Sequence, residues 1–238
     1  MRSFSIYVLL FFLYSFLGWC LEVGCKLVSE RKFVNRGFLI GPYCPIYGFG
    51  ALFMTLFLRR YLDDPFTLFI MIVLSCSILE YFTSYFLEKI YHTRWWDYTK
   101  YRFNINGRIC LETMIPFGLF GLLIMYKVNP FFLHILEQIP PLWGYILAFS
   151  LLFLFLLDNI VSSKAILEIQ KINKNVQKKI LIHKDDTERI TKLVREKVEK
   201  SKKILETRVI HAFPHLKLLK QEKLLKRTIQ KKTKSKKW

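Results

Sequence analysis

The sequence predicts an all-α, polytopic membrane helix bundle of about five transmembrane helices, followed by a basic helical cytoplasmic tail. Three observations carry this expectation. Of 238 residues, 53% are apolar, yet the formal net charge is +19. The apolar residues gather in long uncharged runs, and the charge gathers behind them. Residues 1–161 hold 13 Lys and Arg against 10 Asp and Glu, whereas residues 162–238 hold 24 against 8. The apolar fraction excludes a disordered polymer, and the length with only five cysteines excludes a small disulfide-stapled domain.

A bilayer core about 30 Å thick requires roughly 20 mainly apolar helical residues. The uncharged runs Ser3 to Leu21, Gly37 to Leu58 and Gln138 to Leu157 meet that length alone. Pro65 to Leu79 meets it by continuing through Glu80 to Leu87, and Thr113 to Tyr126 by starting at Ile109 and accepting Glu112. The expected spans are therefore about 3–27, 37–58, 65–88, 109–126 and 139–161, forming a transmembrane domain over 1–163 with a tail over 164–238. A soluble alternative would need five buried helices without a polar face, which suits a protein of this size poorly. The first span reads as retained rather than cleaved, since its apolar run is longer than a signal core and no small-x-small site follows.

Short cytoplasmic loops are enriched in Lys and Arg. With the amino terminus outside, the inner loops carry Lys26, Arg31, Lys32, Arg36, Lys89, Arg94, Lys100, Arg102 and Arg108, and the outer segments carry Arg2, Arg59, Arg60 and Lys127. That distribution predicts a multi-pass protein of the cell membrane with a cytoplasmic carboxyl terminus. The cysteines at 20, 25, 44, 76 and 110 are odd in number and never spaced C-x-x-C, so they read as thiols with neither disulfide nor metal framework.

Two features demand a reason. The entry to span two contains Gly37, Gly41, Pro42, Pro45, Gly48 and Gly50. Each proline removes a backbone donor and clashes one turn back, so a broken or re-entrant segment is expected there. Backbone freed at membrane depth must be satisfied by protein or by water in a cavity. Interrupted helices of this kind mark transporter binding sites, although a kinked helix packed through its glycines would read similarly. The second feature is Glu80, about 12 Å deeper than Glu88 at 1.5 Å per residue. A charge there costs about 2.5–3.5 kcal/mol. Glu80, Thr83, Ser84 and Glu88 make one polar stripe, with the hydroxyls of Tyr43 and Tyr47 or a proton as expected compensation. An interhelical hydrogen bond without transport role is the plainer alternative. Glu22, Glu88, Glu112 and Asp158 fall near the cytoplasmic ends and need no special partner.

The loop after span three reads Arg94-Trp95-Trp96-Asp97-Tyr98, then Asn104-Ile105-Asn106-Gly107-Arg108-Ile109-Cys110 before Glu112. Trp and Tyr favour the headgroup level and Asn106-Gly107 signals a turn. Asp97 with Arg94 or Arg108, and Arg108 with Glu112 four residues on, are the expected ion pairs.

Together the run from Asn35 through Gly48, the element Leu79-Glu80-Tyr81, Arg94 to Tyr98 and Asn104 to Cys110 resemble the CmpB-type family of bacterial ABC-transporter permeases over roughly residues 8–150. The resemblance implies a membrane subunit of a transporter and carries across no substrate or catalytic residue. No G-x-x-x-x-G-K-[ST] run occurs in the sequence, so any ATPase is expected on a separate nucleotide-binding subunit. Five spans are few for a translocation path, which implies a homo-oligomer or a second membrane protein. No H-E-x-x-H or G-x-S-x-G motif is present, so neither enzymatic chemistry nor a cofactor or metal is expected.

In the tail, Ile166, Ile169, Ile172, Val176 and Ile180 recur at helical spacing. Asp185-Asp186-Thr187-Glu188 resembles a helix start ahead of Ile190, Val194, Val198, Ser201 and Leu205, and Pro214 can open a third helix through Leu216, Leu219 and Ile229. These narrow stripes suit a coiled coil or apposition to anionic membrane lipid. Nucleic acid is a poor fit, with no recognised binding fold. A rival reading of the whole chain follows: a membrane scaffold or regulator whose basic tail binds anionic lipid or partner proteins.

Overall fold

A computed structural model describes residues 2–31, 33, 35, 38–179, 187–201, 204–212 and 217–218. Four helices among them are long and apolar enough to cross a membrane, over Ser3–Val28, Pro65–Tyr91, Leu111–Gln138 and Pro141–Asn175. The chain is thus a helical membrane bundle, and the fifth expected span, 37–58, takes another form.

The first crossing helix, α1 (Arg2–Glu30), ends in Arg31, whose φ is +52°. An irregular hairpin over 38–44 follows, and α2 (Pro45–Phe53) begins at Pro45, where a missing N–H costs nothing. It runs on through a π-helical turn, Met54–Leu58, and a tight turn, Arg59–Tyr61. From Pro45 to Tyr61 the helical path is about 25 Å long, short of a bilayer core about 30 Å thick. Asp64 then caps α3 (Pro65–Tyr91), accepting from the N–H groups of Phe66 and Thr67 at 3.1 and 3.2 Å.

Between α3 and the next helix, β1 (Thr93–Arg94) pairs with β4 (Lys217–Leu218), while β2 (Asn104–Ile105) and β3 (Ile109–Cys110) form a small antiparallel hairpin. Its turn is the expected Asn106-Gly107, both residues at positive φ (+54° and +65°). Next, α4 (Leu111–Leu123), a π-helical turn (Ile124–Val128) and α5 (Asn129–Gln138) make one continuous path. The expected end of span four near Tyr126 is therefore corrected: the helical path carries on past Lys127 and Pro130. The π-helical turn ends just before Pro130, whose missing N–H falls in the first turn of α5. Likewise α6 (Pro141–Lys179) continues unbroken well past Val161.

Two apolar clusters organise the bundle. One joins Leu10, Tyr14, Ala51, Met54, Leu58, Leu68, Ile72 and Met125, so α1, α2, α3 and the two π-helical turns meet there. Glycines permit the close approaches: a Cβ on Gly121 would lie 2.4 Å from the Ile72 side chain. The other cluster joins Trp95, Ile166 and Ile169 to Val194 and Val198 of α7 (Thr187–Ser201) and Val209 of α8 (Ile204–Ala212). The Val194 and Val198 stripe read from the sequence thus packs on α6. The expected cap at Asp185-Asp186 lies outside the described residues, as do Arg36 and Gly37; of the helix expected after Pro214 only Lys217–Leu218 are described, and they are corrected to a strand, β4, paired with β1.

Candidate functional site

The hairpin before α2 is held by side chains that satisfy its backbone. Asp158 of α6 accepts from the N–H of Ile40 (2.9 Å) and of Gly41 (2.7 Å), from the Tyr43 hydroxyl (2.7 Å) and from Ser162 Oγ (2.7 Å). Asn35 Nδ2 donates to the Ile40 carbonyl and its Oδ1 accepts from Trp19 Nε1. The Cys44 N–H donates to the Ser15 carbonyl at 2.8 Å, and Arg208 of α8 donates to the Leu39 carbonyl. An acid in α6 therefore substitutes for helical hydrogen bonds that the Gly/Pro sequence forbids.

Beneath the hairpin lies a second polar group. Tyr47 of α2 packs across Gly18 of α1, where any Cβ would fall 2.3 Å from the ring. That approach brings its hydroxyl to Glu22, 2.9 Å away. Glu80 of α3 is buried and accepts one hydrogen bond, 3.2 Å from the Tyr98 hydroxyl. Its other oxygen, Oε2, is buried and has no hydrogen-bond partner among the described residues. Burial first, then the Glu80 charge, raises the Tyr98 hydroxyl well above the usual phenol range, so it stays a donor.

Toward the end of α3, Ser84 and Glu88 continue the same face. Arg108 donates to Ser84 Oγ (3.2 Å), pairs with Glu88 (3.1 Å) and lies against the rings of Tyr81 and Tyr85 at 5.6 and 5.5 Å. Glu88 also holds Arg94 at 3.0 Å, and Arg94 reaches Asp97 at 3.7 Å. Trp96 Nε1 donates to the Arg108 carbonyl. This clamp fixes the 92–110 loop, and with it Tyr98, against α3.

At the opposite end, Thr55, Arg59, Met125, Asn129 and Glu137 line a cavity of about 250 Å³ beside Ser3. The cluster containing Met54, Ile72 and Met125 borders this cavity through Met125, and Cys76, one turn from Glu80, packs on that cluster. Among the described residues no group of three or more His, Cys, Asp or Glu is placed to hold a metal ion.

Several expectations are refined. Glu80 and Ser84 are buried on one face as the stripe requires, with Thr83 half-buried beside them. The hydroxyl on Glu80 comes from Tyr98, however, not from Tyr43 or Tyr47, which serve Asp158 and Glu22. Arg94 does meet Asp97, but Arg108 turns to Glu88 and leaves Glu112 exposed on the first turn of α4. Gly41 and Pro42 lie in the hairpin, Pro45 opens α2, and Gly48 and Gly50 are buried within it. Trp95 is a core residue facing α6 and α7. Glu22, Tyr98 and Asp158 were missed as partners in these networks. The available signal was spacing: Ser162 stands one turn beyond Asp158.

Comparison with known proteins adds one match. The family model described as "Putative ABC-transporter type IV", CmpB type, covers residues 9–163, and the chain belongs to that family. No curated protein and no solved structure matches the chain.

Proposed function

We propose that the chain is the membrane subunit of a transporter, with a separate ATP-hydrolysing subunit supplying energy. In this reading the polar interior around Glu80, Tyr98, Glu22 and Tyr47 forms the inner half of the substrate path. The cavity beside Arg59 and Asn129 forms the outer half, and the Met54, Ile72 and Met125 layer closes the path between them. The end bearing the 92–110 loop and the tail faces the cytoplasm, because Lys and Arg concentrate there. One observation carries the reading: Glu80 is a buried carboxylate inside a membrane-crossing helix with one oxygen unpartnered among the described residues. Such groups face the bundle interior and mark substrate or ion routes.

Purification of the full chain from its native membranes in mild detergent tests this. The expected result is a stoichiometric nucleotide-hydrolysing subunit, retained when Glu80→Gln removes the acid but losing its coupled transport in vesicles. Isolation of the chain without any nucleotide-hydrolysing partner would overturn the reading. A scaffold role draws support from the +16 balance of residues 162–238. Deleting residues 187–238 separates the two: a scaffold loses function with its spans intact, whereas a permease keeps its partner.

A further inference from the structure

We propose that Glu80 is a proton-binding site, taking up and releasing a proton inside the bundle, with the Tyr98 hydroxyl as its hydrogen-bond donor. The inference rests on the pathway reading for its use in transport, while the site itself stands on geometry. Glu80 is only 7% exposed. An ionised carboxylate offers about four acceptor positions, yet this one receives a single hydrogen bond, from Tyr98, and Oε2 receives none among the described residues. A neutral carboxyl group suits that environment, and an ionised one does not.

The groups packed around Glu80 leave its carboxylate without a counter-ion. From α1 comes the like charge of Glu22, with Lys26 one turn further along the helix; from α2 comes Tyr47, whose hydroxyl is bound to Glu22. The 92–110 loop contributes Tyr98, with the thiol of Cys110 beside it. Within α3, Cys76 lies one turn before Glu80 and Ser84 one turn after. Arg108, which reaches Ser84 one turn after Glu80, is engaged by Ser84, by Glu88 and by two aromatic rings. No cation among the described residues contacts Glu80. When the proton leaves, the carboxylate draws on Tyr98 more strongly, and Tyr98 belongs to the loop that Arg108 and Glu88 clamp. Occupancy by a proton is thereby linked to how firmly that loop is held.

Reaction with dicyclohexylcarbodiimide reads the proton directly, because this apolar reagent takes a proton from a carboxylic acid as the carboxyl oxygen attacks its central carbon. The full-length protein, reconstituted in lipid nanodiscs, is treated at neutral and alkaline pH and the adducts are mapped by mass spectrometry. The expected result is an adduct on Glu80 at neutral pH that declines at alkaline pH. Tyr98→Phe removes the one donor to the carboxylate and should raise the alkaline yield severalfold, whereas Glu22→Gln removes the opposing charge and should lower it severalfold. Glu80→Gln should abolish the adduct at that peptide. The proposal is overturned if Glu80 stays unmodified at neutral pH, if neither the Tyr98 nor the Glu22 variant changes the yield, or if sodium protects Glu80 at fixed pH. Sodium protection would mean a metal-cation site instead. The reaction requires no ATPase, so its outcome is independent of the transport test. Failure of the pathway reading would appear as unimpaired transport by Glu80→Gln.

Discussion

At the scale of single residues, Asp158 and Glu80 are acids in membrane-crossing helices with opposite hydrogen-bond environments. Asp158 accepts from four donors and anchors a hairpin, whereas Glu80 accepts from one. Hydrogen bonds to charged groups contribute about 1.5–3 kcal/mol each, but they share one anchor and do not add. Asp158→Ala is therefore expected to cost about 2–4 kcal/mol, and Asp158→Asn roughly half of that, since one amide oxygen still accepts. Thermal unfolding in detergent checks both, and equal stability of the two variants would contradict the charge-assisted account. The unusual character of Glu80 was legible because no interface lies within one helical turn of it. That of Asp158 was not: its value depends on Ile40 and Gly41, more than a hundred residues away, which no local spacing reveals.

Within single elements, turn and cap chemistry decides. Gly107 sits at φ +65°, and a Cβ there would lie 2.6 Å from Thr99 Cγ2 and 2.8 Å from Asp97 Oδ1. Gly107→Ala is expected to destabilise the 92–110 loop by about 1–2 kcal/mol, seen as faster amide exchange at Tyr98 while α1 and α6 stay protected. Asp64 gives a pH signature. The Thr67 hydroxyl and N–H and the Phe66 N–H hold its carboxyl below the usual aspartate range. A carboxyl lowered on folding contributes stability above its unfolded pKa and loses it as pH falls through the folded value. Asp64→Ala should thus lower the unfolding temperature at neutral pH, and the gap to the parent should shrink in acid below about pH 4. The Asn106-Gly107 turn and the interruption before α2 were readable because glycine, proline and asparagine act locally. The π-helical turns, Met54–Leu58 and Ile124–Val128, were not, since no local residue pattern marks them. Those turns also carry the helix beyond Lys127, where a loop was expected.

Across the whole molecule, the start of α1, the end of α2 and α5 share one cavity, while the Glu88, Arg94 and Arg108 clamp occupies the other end of α3. The hairpin and α2 together return the chain from the clamp end to the cavity end. Of the five expected spans, four correspond to helices long and apolar enough to cross among the described residues, and the segment between α1 and α3 takes another form. The apolar runs were legible because lipid forbids charge along them. They could not tell a full helix from a half-helix completed by an Asp158-bound hairpin, because both are equally apolar. The central claim is that this composite second segment crosses the membrane, and single-cysteine labelling tests it most directly. In a background with the five natural cysteines replaced, Asp63→Cys and Lys100→Cys are treated with a membrane-impermeant maleimide in sealed right-side-out and inverted vesicles. The expected result is labelling of position 63 only from the outer face and of position 100 only from the inner face. Labelling of both positions from the same face would contradict the account.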